Sequence, residues 1–249
     1  MPWAELPAAD KSLTEICHII TDVARTSEGY YPRNYTMGYD KAKRLALWAA
    51  YPLHSCYTQG ISRERHCGYD PTLAPGEQMT GGVSAPYNRG HQVANADRRV
   101  SNLANDQISY YSNMTAQRSN FNSGVWAALE GRVRGWMCAD TLYVVTGCHF
   151  DGSQTSTIDN GGNTLPVPTQ YYKVLLRSKN GSTGRSVASL PADELQAIGF
   201  WYEHTESSGQ NPAGCAKSVS EIERLCGFEF FVNVPNAPKA SYLPSDWGL

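Results

Sequence analysis

The first third of the chain alternates between short apolar runs and polar segments. Residues 12–24 carry apolar side chains at helical spacing. These side chains are Leu13, Ile16, Ile19, Ile20 and Val23. The spacing predicts an N-terminal helix over 12–24, with Ser12 as its cap. The runs at 35–39 and 45–51, separated by a polar stretch, predict a β-hairpin. Residues 56–90 are rich in Gly, Pro and charge, and they predict a long loop of the kind that is usually functional.

The rest of the chain mixes one strong helical pattern with several strand-like runs. Residues 122–137 predict a helix with Val125, Leu129, Val133 and Trp136 on one face. A shorter helix is predicted at 219–225, opened by Ser218. The strand-like runs are 142–146, 170–176, 186–190 and 228–232, the last of which closes the sheet. Strands before and after the central helix, without βαβ alternation, predict an α+β fold with a mostly antiparallel central sheet flanked by helices. We expect a single domain over 1–249, with the helix at 12–24 as an extension.

Composition excludes several classes of protein. The chain has 249 residues, of which 41% are hydrophobic and 18% charged, so it can bury a core and is not disordered. No apolar run is long enough for a membrane helix, and we expect no membrane partner. A net charge of −2 excludes binding of nucleic acid through bulk charge. Residues 60–135 nevertheless hold eight arginines against six acids, a local balance of +2 that suits a polyanion.

Seven cysteines in a chain of this size favour an oxidising compartment and disulfides. Cys138 and Cys148 flank a predicted strand and lie too far apart along it to pair with each other. The odd count leaves at least one thiol free or in an intermolecular bridge. Residues 1–12 do not have the pattern of a signal peptide. Either the protein is cytosolic or this sequence begins after a removed leader; we expect the second, which gives a secreted, periplasmic or cell-surface protein.

The tetrapeptide Asn88-Arg-Gly-His91 is the first candidate for chemistry. Gly90 can adopt backbone geometry closed to other residues, which lets its neighbours converge. His91 is the side chain best suited to accept a proton near neutral pH. Arg89 offers a planar fork that matches phosphate. Ordinary surface residues are the alternative interpretation of this stretch.

A second candidate lies on the predicted central helix. Asn122, Trp126, Glu130 and Arg134 recur every four residues along one flank. One interpretation is structural, with Asn122 as a cap and Glu130 paired to Arg134. The other is a site for a hydrated hard cation such as Mg²⁺, which needs few protein oxygens because it keeps several waters.

Three stretches, taken in order, resemble the signature of the DNA/RNA non-specific endonuclease family, the ββα-metal nucleases. They are Asn88-Arg-Gly-His91, Tyr111-Ser-Asn-Met-Thr-Ala-Gln117 and Phe121-Asn-Ser-Gly-Val-Trp126-Ala-Ala-Leu-Glu130. The family pattern reads Asp-Arg-Gly-His, then Leu-Ser-Asn-x-x-Pro-Gln, then a helix opening Leu-Asn-Gln-x-x-Trp and continuing to Leu-Glu. The resemblance runs from about residue 35 to 235, including 167–173 and 227–231. It implies an α+β fold with a ββα-metal active-site motif.

The resemblance also implies roles for the residues that match. His91 would be the general base that activates water for attack on phosphorus. Asn122 would be the direct protein ligand of a hydrated Mg²⁺, with Mn²⁺ as a substitute, and Glu130 would reach that ion through water. Such a cation polarises the phosphoryl oxygen and the leaving group.

Further matching residues are implied to contact the substrate or to orient the site. Arg65 would neutralise charge on the phosphate in the transition state, and Arg89 would assist it. Asn113 would orient His91 or the scissile phosphate. Arg134 would support Glu130 or contact the nucleic-acid backbone, and Asn88 would join the substrate-binding residues.

The chain departs from the family pattern at two positions. Asn88 replaces the usual Asp, so any role of a carboxylate there is lost and His91 should be less basic. Ala116 replaces the usual Pro. Arg63 lies two residues from Arg65 and is the alternative loop arginine.

The sequence therefore predicts a metal-dependent endonuclease that cuts DNA and RNA with little sequence specificity. A catalytically inactive nucleic-acid-binding module of the same fold is the alternative, and a structural secreted protein held by disulfides is a third hypothesis. Binding alone needs none of His91, Asn122 and Glu130, which favours the enzyme. A homodimer and a protein inhibitor remain open as further partners.

Overall fold

A computed structural model describes residues 3–62, 66–206 and 209–249. Strands contribute most of the regular structure. They are β1 (Thr14–Ile19), β2 (Arg33–Asp40), β3 (Leu45–Leu53), β4 (Tyr87–His91), β5 (Met114–Arg118), β6 (Leu142–His149), β7 (Ser156–Ile158), β8 (Thr164–Pro166), β9 (Gln170–Ser178), β10 (Leu195–Glu203) and β11 (Ala216–Lys217). The helices are α1 (Ser55–Thr58), α2 (Asn102–Ile108), α3 (Ser119–Phe121), α4 (Ala127–Gly135), α5 (Pro212–Cys215) and α6 (Val219–Cys226). A π turn, Asn122–Trp126, joins α3 to α4.

The central sheet has seven strands in the order β1-β2-β3-β6-β9-β10-β11. Every neighbouring pair in it is antiparallel. One face packs against α4, whose Leu129 and Val133 join the larger core cluster. The other face packs against α6 and the segment after it through Ile222, Phe230 and Phe231. The predicted α+β class with an antiparallel sheet flanked by helices is confirmed, and both faces of the sheet are covered.

The predicted hairpin and both predicted helices after residue 120 are present. The hairpin is β2–β3. The helix predicted at 122–137 begins three residues earlier, as α3, and contains the π turn. The helix predicted at 219–225 is α6, where Ser218 and Glu221 bond to each other's backbone N–H groups in a capping box.

The predicted N-terminal helix at 12–24 is wrong, because this segment contains β1. Ile16 and His18 are buried while Cys17 and Ile19 are exposed, which is the two-residue alternation of an edge strand. The strand pairs with β2, with Ile16 opposite Met37. Isoleucines satisfied a helical spacing by coincidence, and hydrogen bonding to a distant segment decided the outcome.

Two predicted strands are also wrong. The run at 186–190 forms a single 3₁₀ turn, Val187–Ser189, and the strand lies further on as β10. Strand β10 is buried on both faces, so it lacks the alternation that would have marked it. The run at 228–232 does not close the sheet, whose edge is β11. Instead Phe230 packs on the sheet face, and its backbone N–H donates to the Glu223 carboxylate at 2.8 Å.

The expectation of disulfides is not supported. All seven cysteines lie in described segments, and each is a free thiol. Cys148 is buried in the core, and Cys17 and Cys56 are exposed.

Within the described parts of the chain, no helix has the length and apolar character needed to span a bilayer.

Candidate active site

A cleft of about 650 Å³ is lined by side chains from β4, from residues 94–99, and from the helical segment that runs through the π turn into α4. Six of the eight predicted site residues line it: Asn88, Arg89, His91, Asn122, Glu130 and Arg134. Asn113 lies behind the cleft wall. Arg65 and its alternative Arg63 fall outside the described residues. The tertiary structure therefore brings both candidate motifs to one cavity.

Strand β4 presents His91 at its end. It pairs with β5 in a two-stranded antiparallel ladder, with Asn88 opposite Gln117 and His91 opposite Met114. Gly90 is buried, and a Cβ there would overlap the Gln117 side chain. Glycine at this position is required for close packing against β5 rather than for an unusual backbone angle, which corrects the expectation drawn from the sequence.

Asn113 anchors the chain that follows His91. Its Nδ2 donates to the carbonyls of Val93 (3.1 Å) and Ile108 (2.8 Å), and its Oδ1 accepts from the N–H of Val93 (2.9 Å). Its backbone carbonyl accepts from the N–H of Gln92 at 2.8 Å. The side chain is completely buried, so it cannot touch a phosphate in the cleft. Of its two predicted roles, orienting His91 through the backbone is the one this placement leaves.

The π turn decides which helical side chains reach the cleft. Asn122 and Ala127, five residues apart, both line it, as do Glu130 and Arg134. Trp126 was predicted on the same flank, but it is buried and stacks on Phe121 with ring centroids 5.7 Å apart. A π turn takes one residue more than an α turn, so Asn122 lies above Ala127 instead of Trp126. Such turns recur at functional sites.

Arg134 is committed to an acidic partner. Its guanidinium donates to Asp97 Oδ1 at 2.9 Å, and Asp97 Oδ2 accepts from the Tyr51 hydroxyl at 2.8 Å. Burial lowers the pKa of Arg134, but the Asp97 and Glu130 carboxylates outweigh that effect and raise the pKa above its usual value. Arg134 thus lines the cleft as half of an ion pair with Asp97, and it lies within electrostatic range of Glu130.

Lys173, to which the sequence analysis assigned no role, is a buried cation next to the π turn. Its Nζ donates to Thr146 Oγ1 at 3.0 Å and lies 4.5 Å from the centre of the Trp126 ring. Burial lowers the pKa of Lys173, and the carboxylates of Glu130 and Asp97 oppose that shift. The one feature of the sequence that could have indicated a buried cation is the position of this lysine inside the strand run 170–176, which is otherwise mostly apolar.

His204, to which the sequence assigns no role, supports the start of α3. Its Nε2 accepts from the backbone N–H of Arg118 at 2.7 Å, and its Nδ1 donates to the carbonyl of Pro168 at 2.6 Å. The two partners fix the tautomer, because a backbone N–H can only donate and a carbonyl can only accept. Burial first, and then the Arg118 charge, lower the pKa of His204 to about 4, against the hydrogen bond to Pro168.

The donor set suits a hard, hydrated cation. Across residues 3–62, 66–206 and 209–249, no group of three or more His, Cys, Asp or Glu side chains is placed to hold a metal ion. The half-buried amide of Asn122 and the carboxylate of Glu130 line the same cleft. Oxygen donors that are few in number fit Mg²⁺ or Mn²⁺, which fill their remaining positions with water and substrate. The residues present therefore fit the implied ion.

Comparison with known proteins agrees with this geometry. Residues 19–237 match the sequence profile of the family described as DNA/RNA non-specific endonuclease. The chain is 26% identical to the human mitochondrial nuclease EXOG over 212 residues, which cover 80% of this chain and 55% of that protein. It is 25% identical to the Serratia marcescens nuclease over 217 residues, which cover 83% of this chain and 76% of that one. The chain spans 61% of the zebrafish EXOG sequence that it also matches.

A solved structure shows the same fold. EndoG, in its complex with EndoGI, superimposes with a TM-score of 0.65 at 21% identity, covering 84% of this chain and 86% of that one. The family match begins at residue 19, the last residue of β1, and so starts before the stretch from residue 35 on which the resemblance was based. The chain belongs to the DNA/RNA non-specific endonuclease family.

Proposed function

We propose that this protein is a metal-dependent endonuclease that hydrolyses phosphodiester bonds in DNA and RNA. The observation that carries the proposal is the shared cleft, where a histidine, two oxygen donors and a guanidinium converge from separate elements. His91 and Arg89 come from β4, whereas Asn122 and Glu130 come from the π turn and α4. A packed fold has no structural need to collect these groups in one cavity.

His91 is the proposed general base. It lies at the end of β4, partly exposed to the cleft, where it can take a proton from an attacking water. Asn113 holds the backbone on its C-terminal side through Gln92 and Val93. The base is thereby carried on a strand that pairs with β5 and whose continuation is bonded to Asn113, so its position costs little entropy at the moment of reaction.

Asn122 and Glu130 are the residues that would hold Mg²⁺ or Mn²⁺. Bound there, the cation would supply positive charge that stabilises the phosphate and the leaving oxygen. Asn122 is uncharged, so its ligation cancels none of that charge. Arg134 and Lys173 both lie within electrostatic range of the Glu130 carboxylate.

Arg89 is the proposed phosphate ligand in the cleft, and Asn88 beside it is a proposed substrate contact. Contacts of this kind go to phosphate and sugar and carry no sequence information, so we propose weak sequence preference on both DNA and RNA. Arg134 would contact substrate only at the edge left by its ion pair with Asp97. The role of Arg65 in the transition state remains a prediction from the resemblance.

Location and partners also remain predictions. Some of the relatives are named as mitochondrial nucleases, and the thiols of this chain are free, so the secreted, periplasmic or cell-surface location rests on the sequence argument alone. The solved EndoG structure contains an inhibitor of that protein, which makes an inhibitor of this chain worth testing alongside a homodimer.

The test is digestion of supercoiled plasmid and of structured RNA by the wild-type protein and by His91→Ala. Both substrates should be degraded by wild type with Mg²⁺ or Mn²⁺, and EDTA or His91→Ala should each abolish cleavage. Retained binding without cleavage by the wild-type protein would favour the inactive binding module. In that case Asn88→Asp restores the family carboxylate, and recovery of cleavage by this variant would identify Asn88 as the cause.

A further inference from the structure

Two consecutive arginines follow the 3₁₀ turn Asn95–Asp97, and their side chains lie in different environments. Arg98 points inward and is completely buried. Its guanidinium donates to the carbonyls of Asn34, Pro52 and Asp97, at distances from 2.6 to 3.1 Å. Arg99 points the other way and lines the cleft. One arginine of the pair is therefore structural, and the other is available to a ligand.

The backbone of Arg99 is held from both sides by residues 57–61. Its N–H donates to the carbonyl of Tyr57 at 2.7 Å, and its carbonyl accepts from the N–H of Ile61 at 2.9 Å. Gly60 has a φ of +140°, and a Cβ there would lie 2.5 Å from the Arg99 carbonyl oxygen. This close approach needs glycine and fixes the point from which the Arg99 side chain enters the cleft.

The guanidinium of Arg99 is uncommitted. Among the described residues its side chain has no hydrogen-bond or ion-pair partner, and its Nε is buried. Arg134 in the same cleft is paired with Asp97, which leaves much less of its donor capacity for substrate. Asn95, on the same wall and 7% exposed, also has a buried oxygen, Oδ1, without a partner. Unsatisfied buried polar atoms are costly, and two of them on one cleft wall indicate a surface that is completed by a polar ligand.

We propose that Arg99 binds a backbone phosphate adjacent to the scissile one. The inference rests on the proposed nuclease function and extends it. It adds a second phosphate contact, on the cleft wall formed by residues 94–99, to the one proposed for Arg89 on β4. Arginine suits this task through its planar set of donors, which matches two phosphate oxygens at once. A nucleic-acid strand would then be held at two successive phosphates, which sets its register before the bond is cut.

The experiment measures binding and cleavage separately. A fluorescein-labelled DNA duplex is titrated with protein in EDTA, by fluorescence anisotropy, from about 50 to 200 mM NaCl. Steady-state cleavage of the same duplex is then measured with Mg²⁺. The variants are Arg99→Ala, Arg99→Gln and Arg99→Lys. Arg132→Ala is the matched control, since it removes the same charge from α4 at an exposed residue outside the cleft.

Arg99→Ala and Arg99→Gln should raise Kd about 10-fold and reduce the slope of log K against log salt by about 1. KM should rise in parallel, with kcat within about 3-fold of wild type, because the contact is equally strong in the ground and transition states. Arg99→Lys should keep the slope. Arg132→Ala should leave Kd, KM and slope close to wild type.

Several results would overturn the inference. One is an Arg99→Gln slope equal to that of wild type or of Arg132→Ala. Another is a large loss of kcat at unchanged KM, which would place Arg99 at the scissile phosphate itself. If Arg99→Ala fails to fold, as judged by circular dichroism, Arg99→Gln and Arg99→Lys decide the question. A wild-type protein that neither binds nor cuts nucleic acid would instead refute the proposed function, so the two failures are distinguishable.

Discussion

Buried His204 makes the stability of this protein depend on pH in a way that one substitution isolates. In the folded protein the pKa of His204 is lowered to about 4 from its ordinary 6.5. Between these two values the unfolded chain binds a proton at this residue and the folded protein does not. The contribution of His204 to the free energy of unfolding is therefore complete above its unfolded-state pKa of 6.5 and is lost as the pH falls toward 4. Arg118, whose guanidinium pairs with Glu206 at 2.6 Å, is the charged neighbour that adds to the effect of burial.

The size of the effect follows from the two pKa values. From pH 7.5 to 5, protonation of the unfolded state at this one residue lowers the free energy of unfolding by about 2 kcal/mol. His204→Gln does not titrate, and its amide can still accept from the Arg118 N–H and donate to the Pro168 carbonyl. The pH-dependent loss of stability should therefore be about 2 kcal/mol smaller in His204→Gln than in wild type.

Urea unfolding at both pH values measures this difference. His66→Gln is the matched control, because its side chain is 71% exposed and the same residue types are exchanged. Other groups titrate in the same range, so the comparison between variants carries the result rather than the wild-type curve. An equal loss of stability in wild type and His204→Gln, within about 0.5 kcal/mol, would refute the reasoning.

Two further predictions concern the supports of the site. Asn113→Ala removes three buried hydrogen bonds, so it should lower the free energy of unfolding by about 3 kcal/mol. The variant should also cleave nucleic acid more slowly under conditions where it is folded, because the backbone that follows His91 loses its anchor. A loss of stability below about 1 kcal/mol in urea unfolding would contradict that account. Arg134→Ala leaves the buried Asp97 carboxylate without its charged partner and should cost about 2 kcal/mol, with a smaller cost in the Asp97→Asn background. Additive effects in this double-mutant cycle would show that the ion pair contributes nothing to stability.

Features that depend on neighbouring residues were predictable from the sequence. The β2–β3 hairpin, the helix through residues 122–135 and the capped helix α6 each follow from turn chemistry and local spacing. The order of His91, Asn122 and Glu130 identified the family, and the six predicted residues that line the cleft came from two short motifs. These features are formed by residues that are close together in the sequence, so they do not depend on how distant segments pack.

Other features depended on segments that meet only in the folded protein. Residues 14–19 have an apolar spacing that fits a helix, but a free strand edge at β2 gave them backbone partners. The π turn placed Asn122 in line with Ala127 and turned Trp126 into the core, although a four-residue spacing put Asn122 and Trp126 together.

Residues of the same type also differ in role because their surroundings differ. Arg98 and Arg99 are adjacent and identical in chemistry, yet one meets three carbonyls and the other meets the cleft. His204 acquired its role from Arg118 and Pro168, 86 and 36 residues away in sequence. The sequence by itself determined which chemical groups are present and which local elements carry them. The tertiary structure decided which of those groups are buried, paired or left facing the cleft, because burial and partnership are properties of the space between segments.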